Sequence, residues 1–578
     1  MFIKKLFLVL IKLLIITPLL FADSMRTKTV IFDMAGSRYT AYELYNPYAP
    51  GHNRSYGWHQ VMLEPLFMSH LLTGEIEPWL GESMTPNSTS DIWTLKLNPK
   101  AKWSDGEDFD ADDVIFSVNL ALQNKELGGA GTGGVRTFVK NVKKSNKHTV
   151  IFNLKKPNPR FQMDMFSVKI WGSFAFVPEH IWKDKDPLTF TFFDKNKGWP
   201  VYTGPYTLEK ASETEFIFKR NNNWWGVEGG LRDLPSPERV IYTWRGPEET
   251  RTAAMVANEL DALHDISPGA YQALKMQNPN VIAWTEKLPF AHIEPTCTRT
   301  LEFNNKVEPW DDSDMRWAVN FAINRDQIVN IAYEGATVKS RTFFPISAPL
   351  ERLVDKLEEI GLFDKYPIPK FDPNKTKEIL GKKGYKMNSK GYFTKDGKEL
   401  KLPIIVHEAY IEKLRWTQVV AEQLQNVGIN ATASALSGGT WGDKINTGDY
   451  VASGGWQTCG STSEPWSSLD NFNAKWSVPI GQRASKNIWR WENQEFSNIV
   501  DEMSTLHSDD PKVEELFIKA MEIYMRELPV IPTTQARKLT PYNTTYWTGW
   551  PTKANAYTSP TDWWQNTHVI IHNLEPAN

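Results

Sequence analysis

A glycine-rich segment has the spacing of a phosphate-binding loop. Gly129-Ala130-Gly131-Thr132-Gly133-Gly134 satisfies the pattern GxGxxG, which holds the pyrophosphate of a dinucleotide where a strand ends and a helix begins. Here the segment follows a predicted helix, so we interpret it as a flexible loop. The sequence also has no Walker A loop, so any ATP hydrolysis belongs to another chain.

Residues that could support hydrolysis lack the spacing that hydrolases need. The chain has neither an HExxH nor a GxSxG sequence, and its 11 His are scattered without metal-ligand spacing. The cluster Asp311-Asp312-Ser313-Asp314 offers paired carboxylates, but acids directly before a predicted helix usually cap it and interact with its dipole. We therefore expect a protein that is not an enzyme, with no cofactor and no bound metal.

Strands and helices alternate along the chain. The residue patterns predict strands at 28–34, 90–97, 149–154 and 207–219, and helices at 114–122, 248–258, 313–324, 374–380 and 414–426. Because the two types are interleaved rather than segregated, the expected fold class is mixed α/β.

The first residues have the anatomy of an export signal. Two lysines precede an apolar run from Leu6 to Phe21, which Lys12 and Pro18 interrupt. A membrane anchor needs about 20 uninterrupted apolar residues, so we predict a signal peptide at 1–22 with cleavage after Ala22. No cysteine lies near that point, which favours a soluble periplasmic protein over a lipid-anchored one.

Size and composition narrow the function further. Single cores stop growing at about 250 to 300 residues, so a chain of 578 residues is expected to form two or three domains. With 65 Lys plus Arg against 68 Asp plus Glu, nothing suggests nucleic acid or anionic lipid as a partner. The 24 Trp exceed what packing requires, so we expect about two thirds in the core and the rest in binding.

A series of short motifs extends from about Glu64 to Pro532. The longest is WSDGEDFDADDVIFS at 103–117. The others are VPEHIW at 177–182, TGPY at 203–206, RN at 220–221, WWG at 224–226, FN at 303–304, DMRWAV at 314–319, AINR at 322–325, FDP at 371–373 and LPVIP at 528–532. In content and order this series resembles the family 5 extracellular solute-binding proteins of ABC importers, which include oligopeptide-, dipeptide- and nickel-binding components.

The resemblance implies a two-lobed periplasmic-binding-protein fold, type II and cluster C, with an extra domain inserted in the first lobe. It places lobe I at 23–62, 200–296 and 531–578, the inserted domain at 63–199, and lobe II at 297–530, with chain crossings near Cys297 and near 529–532. It further implies a monomer that closes on a small-molecule ligand and delivers it to an inner-membrane ABC permease with its ATPase subunits.

The two cysteines gain a role from the resemblance. From the residues alone, Cys297 and Cys459 either form one disulfide or remain two buried thiols. In oligopeptide-binding members a disulfide joins the start of the second lobe to the loop after a Gly-Trp strand. Cys297 and Cys459 occupy similar positions, so the resemblance implies a disulfide between them.

The segment GGWQTCGSTSEP at 454–465 resembles the specificity loop of oligopeptide binders. There an aspartate two residues after the cysteine holds the amino terminus of the peptide, whereas here that position is Ser461 and no acid lies between Trp456 and Glu464. A peptide ammonium buried without its countercharge is unfavourable, so a free peptide fits poorly. Hydroxyls and amides suit a neutral oligosaccharide, whose pyranose faces pack on aromatic rings.

The opening segments at 46–48 and 75–80 also resemble the sugar-binding branch of the family, some members of which bind β-linked cello-oligosaccharides. The residues expected to line the cleft are Trp441, Trp456, Gln457, Thr458 and Ser461 in the second lobe, and His264, Asp265, Asn46, Tyr48 and Trp58 in the first. For the last three, a packing role is an equal alternative. The tryptophans of the shared motifs are assigned to packing: Trp103, Trp182, Trp224 and Trp225.

Two alternatives stay open. An oligopeptide receptor of the same family would use another acid, Asp265 or Glu464, to hold the amino terminus of its ligand. A periplasmic glycoside hydrolase with two carboxylates would also use many Trp, but it would turn over its oligosaccharide.

Overall fold

The structure is a computed structural model that describes residues 25–34, 38–49, 52, 56–129, 131–168, 173–293, 297–408, 410–456, 458–561 and 564–577. The predicted signal peptide at 1–22 and the predicted ligand contact Gln457 lie outside the described residues. Within the described ranges, no helix has both the length and the apolar character needed to cross a membrane.

The first half of the chain interleaves short strands and helices. Up to residue 199 these are β1 (Thr29–Asp33), a π-helix (Trp58–Met62), β2 (Phe67–Ser69), β3 (Ile76–Pro78), β4 (Gly81–Pro86), β5 (Ile92–Leu97), α1 (Ala111–Gln123), α2 (Thr132–Phe138), β6 (Val139–Asn146), β7 (Thr149–Leu154), α3 (Phe161–Met165), β8 (Ser167–Val168) and α4 (Glu179–Trp182). Up to residue 293 they are β9 (Tyr206–Ala211), β10 (Glu215–Arg220), α5 (Trp225–Glu228), β11 (Arg239–Thr243), α6 (Glu248–Val256), α7 (Pro268–Gln277), β12 (Val281–Ile282) and β13 (His292–Ile293).

The second half continues the alternation with longer helices. Up to residue 436 the elements are β14 (Arg299–Phe303), α8 (Ser313–Ala322), α9 (Arg325–Ala332), α10 (Ala348–Glu359), α11 (Leu362–Lys365), α12 (Pro373–Lys382), β15 (Lys386–Met387), β16 (Phe393–Lys395), β17 (Lys398–Glu399), β18 (Lys401–His407), α13 (Ile411–Asn426) and β19 (Asn430–Leu436). The remainder are α14 (Gly438–Thr447), β20 (Ala452–Gly455), α15 (Trp466–Leu469), α16 (Gln494–Met503), α17 (Pro511–Glu527), β21 (Val530–Thr534), β22 (Arg537–Lys538), β23 (Tyr542–Asn543), β24 (Trp547–Thr548), α18 (Thr567–Asn573) and β25 (Glu575–Pro576).

The glycine-rich segment is in part helical. Gly131 has φ 76° and precedes α2, whose first turn contains Gly133 and Gly134. The prediction of a loop is therefore wrong for the second half of the motif. The segment still follows α1 rather than a strand, so it lacks the strand-to-helix context of a dinucleotide site.

Three larger sheets organise the fold. One has the order β1-β11-β10-β9 with β1 parallel to β11, and a second, antiparallel sheet has the order β4-β5-β7-β6. The third has the order β19-β18-β20-β14-β21, in which β18 runs parallel to both of its neighbours. Ligands of α/β proteins commonly bind at the carboxyl ends of such parallel strands.

The two largest clusters of buried apolar side chains belong to different parts of the chain. One cluster contains buried side chains from Val30 to Tyr242 and from Tyr542 to Leu574, and the four motif tryptophans assigned to packing are buried in it. A separate cluster extends from Leu301 to Ile531. The first cluster therefore joins the predicted lobe I with the predicted inserted domain, and the second core belongs to the predicted lobe II.

Two paired segments connect the cores. β13 leads into β14, β22 follows β21, and β13 pairs antiparallel with β22, with His292 opposite Lys538. The second boundary predicted at 530/531 falls inside β21, because residues up to Thr534 pair with β14 in the second-lobe sheet. The pairing with β14 thus continues a few residues past the predicted boundary.

Candidate functional site

Aromatic side chains gather at the carboxyl ends of β18 and β20. His407 is the last residue of β18 and Trp456 directly follows β20, while Trp441 comes from α14 and Tyr410 precedes α13. The rings of Trp441 and Trp456 are parallel, with centroids 4.8 Å apart and an interplanar angle of 9°. Tyr410 meets Trp456 at 5.1 Å and is 41% exposed, so the cluster reaches solvent.

A hydrogen bond to β20 fixes the Trp441 ring. Its Nε1 donates to Ser453 Oγ at 3.3 Å, and the side chain is buried. Trp456 is half-buried. Two large rings are thus fixed at the carboxyl ends of parallel strands, where ligands of α/β proteins commonly bind.

A buried lysine completes the cluster. The Lys413 Nζ lies 2.9 Å from the centroid of the Trp456 ring and 3.6 Å from that of Tyr410, and Lys413 is only 2% exposed. An ammonium over an indole face is a favourable cation–π arrangement, and it is strengthened by desolvation. Lys413 was not among the residues predicted to line the site.

The neighbouring Glu412 anchors the first turn of α13. Its carboxylate accepts from Arg299 Nε at 2.9 Å and from Tyr333 Oη at 2.7 Å. Burial opposes ionisation of this carboxyl, but Arg299 and Lys413 outweigh it and lower the pKa of Glu412 to about 2. Glu412 is therefore a fixed anion that ties α13 to β14, next to the crossing between the lobes.

The loop after Trp456 is closed by a disulfide. Cys297 and Cys459 are bonded, with Cα atoms 4.8 Å apart. Thr458 Oγ1 donates to the Phe343 carbonyl at 3.4 Å, and Ser461 Oγ lies 3.0 Å from Ser463 Oγ. Thr458 and Ser461 are both buried, so their hydroxyls hold the loop together in this conformation.

His264 and Asp265 lie beside the crossing in the first lobe. Asp265 Oδ1 accepts from Arg537 Nη1 at 2.6 Å and from the Leu539 amide at 3.0 Å. The His264 amide donates to Asp33 Oδ2 at 3.4 Å, at the end of β1, and Asp33 is paired with Arg251. Burial raises the pKa of Asp33 despite that pairing. These two predicted site residues therefore form part of a charged network around β22.

Asn46, Tyr48 and Trp58 occupy packed positions, which is one of the two roles that the sequence left open for them. The Asn46 Nδ2 donates to the carbonyls of Pro187 and Phe190 at 2.9 and 2.8 Å, and Tyr48 Oη donates to the Ala175 carbonyl at 2.9 Å. All three residues are buried. The side-chain donors of Asn46 and Tyr48 are thus taken up by backbone carbonyls that are distant in sequence, which supports the packing alternative.

A charge pair links the disulfide loop to the predicted inserted domain. Arg160 Nη2 lies 2.9 Å from Glu464 Oε2, with side-chain exposures of 2% and 1%. The guanidinium also lies 4.6 Å from the ring centroid of Trp466. The sequence offered no signal for this pair, because its members are far apart in the chain.

Replacing Arg160 by Met should destabilise the protein by about 3 kcal/mol, because the Glu464 carboxylate would stay buried without the guanidinium. Urea unfolding of the wild-type and variant proteins measures this difference. The matched control is Arg341→Met, which removes solvent-exposed pairings with Asp355 and Glu358 and should change stability by less than about 1 kcal/mol. Equal effects of the two substitutions on stability would show that the buried Arg160–Glu464 pair contributes no more than an exposed one.

In the part of the chain that the structure describes, neither a metal site nor the two cavities described below coincide with the aromatic cluster. Among the described residues, no group of three or more His, Cys, Asp or Glu is placed to hold a metal ion. A cavity of about 410 Å³ lies between α8 and α12, and another of about 370 Å³ lies between α6 and α7. The aromatic cluster lines neither of these two cavities.

Comparisons with known proteins agree with the motif series. The family model described as bacterial extracellular solute-binding proteins, family 5 middle, matches residues 75–478. The dipeptide-binding protein of Escherichia coli (strain K12) is 22% identical over 530 residues, which cover 88% of this chain and 90% of that protein. The nickel-binding periplasmic protein of Escherichia coli (strain K12) is 24% identical over 349 residues, which are 60% of each chain.

Two solved structures from Thermotoga maritima share the fold along nearly the whole chain. A periplasmic oligopeptide-binding protein of an oligopeptide ABC transporter has a TM-score of 0.84 and 26% identity, covering 95% of this chain and 99% of that chain. A structure of the same protein with bound mannohexaose has a TM-score of 0.77 and 26% identity at the same coverage. The fold is therefore the two-lobed type II periplasmic-binding-protein fold.

Proposed function

The chain belongs to the bacterial extracellular solute-binding proteins of family 5, the solute-binding components of ABC importers, and we propose that its cargo is a neutral oligosaccharide. The observation that carries this proposal is the aromatic surface of Trp441, Trp456 and Tyr410 at the ends of β18 and β20. Flat indole and phenol rings pack against the C–H faces of pyranoses. The similar Thermotoga maritima structure with bound mannohexaose supports the same ligand class.

The acidic groups that could hold a peptide amino terminus also favour an uncharged ligand. The position that holds an aspartate in oligopeptide binders carries Ser461, and Asp265 and Glu464 are each paired with an arginine. A peptide ammonium would have to compete with Arg537 or Arg160 for these acids, at a desolvation cost. Hydroxyl and amide groups impose no such charge requirement.

The partners follow from the ligand and the family. We propose that residues 1–22 direct export to the periplasm, and that the mature protein acts as a monomer. We propose that lobe I consists of 23–62, 200–296 and 531–578, with 63–199 as its inserted domain, and that lobe II consists of 297–530. Closure of the two lobes on the ligand would present loaded protein to the inner-membrane permease. The adjacent β13 and β22 are the segments about which such a closure would bend.

Replacing Trp456 by Ala should weaken oligosaccharide binding at least about 30-fold, since a stacked aromatic anchor contributes about 2 kcal/mol. Isothermal titration calorimetry with mannohexaose and cellohexaose measures this loss and compares β-1,4-linked glucose with mannose. Trp317→Ala is the matched control, because Trp317 is also half-buried and contacts another aromatic ring, that of Phe321 at 5.4 Å, but lines the cavity beside α12. It should leave affinity unchanged.

The same titrations decide between the alternatives. If tri- to pentapeptides bind and neither hexaose does, the ligand is an oligopeptide and not an oligosaccharide. Release of shorter sugars from the hexaoses by purified protein would support a glycoside hydrolase. The proposal expects sugar binding without turnover.

A further inference from the structure

Both faces of the Trp456 ring are occupied in this structure. Trp441 stacks on one face in a parallel arrangement at 4.8 Å. Rings this close leave no room for an ammonium between them, so Lys413, whose Nζ is 2.9 Å from the Trp456 centroid, lies against the opposite face. A sugar can therefore stack on Trp456 only after one of these neighbours moves.

Lys413 is the neighbour that can move. Both side chains are buried, but Trp441 is a rigid ring hydrogen-bonded to Ser453, whereas the Lys413 ammonium ends a four-carbon chain whose rotation can carry it off the ring. Of the two rings that contact its ammonium, Tyr410 is 41% exposed, so solvent lies next to the Lys413 side chain. The backbone beneath it stays fixed, because Arg299 and Tyr333 hold Glu412 in the same turn. The side chain can therefore swing outward without unwinding α13.

We propose that Lys413 is a specificity-determining residue that covers the stacking face of Trp456 and is displaced by the ligand. This inference rests on the proposed oligosaccharide function. A ligand must replace the cation–π contacts to Trp456 and Tyr410 with contacts of its own, which the C–H face of a pyranose supplies and a small solute without such a face does not. Lys413 thereby raises the threshold for binding and selects for extended sugars.

The test is a pair of substitutions, Lys413→Ala and Lys413→Met, titrated with mannohexaose and cellohexaose by calorimetry. Lys413→Ala removes the covering group and should tighten binding of the better hexaose about 10-fold. Lys413→Met keeps the length and apolar packing of the chain without its charge, and should tighten it less. In a Trp456→Ala background, Lys413→Ala should bring no gain, because the contested face is gone.

A control and two distinct failures complete the design. Lys197→Ala removes an exposed ammonium 4.6 Å from the Trp199 ring centroid in the predicted inserted domain, and should leave affinity unchanged. Circular dichroism establishes that each variant is folded. If the hexaoses bind but neither Lys413 variant tightens binding, the role of Lys413 is refuted while the sugar-binding function stands. If no variant and no wild-type protein binds sugar, the proposed function is refuted, and this inference with it.

Discussion

Loss of the Cys297–Cys459 disulfide should lower the free energy of unfolding by about 5 kcal/mol, because the bridge closes a loop with a sequence separation of 162 residues in the unfolded chain. The bond lowers the conformational entropy of the unfolded chain by closing this long loop, and so it makes unfolding less favourable. The effect should fall on the second lobe, whose apolar core extends from Leu301 to Ile531 within and beyond that loop.

Urea unfolding with and without a reducing agent measures the effect. The double variant Cys297→Ala and Cys459→Ala should unfold at the lower urea concentration in both conditions, and the reducing agent should not change it further. Since a two-lobed protein need not unfold in one step, the transition of the second lobe is followed separately. A wild-type midpoint that is insensitive to reduction would contradict a stabilising role for the bond.

Elements with local signals were predictable from the sequence. α8 begins at Ser313, as predicted, because Asp312 caps it by accepting from the Asp314 amide at 2.9 Å. β7 has the predicted bounds, since its apolar residues alternate over Thr149–Leu154. The strand predicted at 207–219 is instead the hairpin of β9 and β10, joined through Ser212 and Glu215. Local periodicity therefore indicated the type of an element better than its limits.

Contacts between distant segments could not be predicted in this way. The family resemblance predicted Trp456 in the specificity loop and Trp441 in the preceding segment as ligand contacts, but the position of Lys413 against Trp456 depends on where α13 starts relative to β20. Asn46 is polar and lies in a turn-rich loop, so its type suggested a ligand contact. The structure instead places the carbonyls of Pro187 and Phe190 against it. Residue type indicates what a side chain can bind, whereas the fold determines which partner reaches it.

Glu64 is another residue whose environment arises from the fold. Its carboxyl is buried and accepts from the indole Nε1 of Trp224 at 3.1 Å and of Trp225 at 2.8 Å. Burial is the main influence on its pKa and raises it, while the indole donors and Thr203 lower it without cancelling the effect, so the pKa is about 8 rather than 4.5. The two tryptophans of the WWG motif are thus packed around a carboxyl that is protonated at neutral pH.

The stability of the protein should therefore fall as pH rises through this window. Between pH 4.5 and about 8 the folded state holds a proton on Glu64 that the unfolded state has released, so the contribution is complete below pH 4.5 and lost above pH 8. A shift from 4.5 to about 8 corresponds to roughly 5 kcal/mol. Glu64→Gln cannot ionise, so its stability relative to the wild type should increase by about that amount from pH 4.5 to pH 8.5.

Urea unfolding of wild type and Glu64→Gln across this pH range measures the difference, in which the titration of all other shared groups cancels. Asp113→Asn is the matched control, because burial raises the pKa of Asp113 to about 6 only. Its difference from wild type should therefore change below pH 6 and be flat between pH 7 and pH 8.5, where that of Glu64→Gln still rises. Parallel stability curves for wild type and Glu64→Gln would mean that Glu64 is ionised throughout, with the indole donors stabilising its charge against burial.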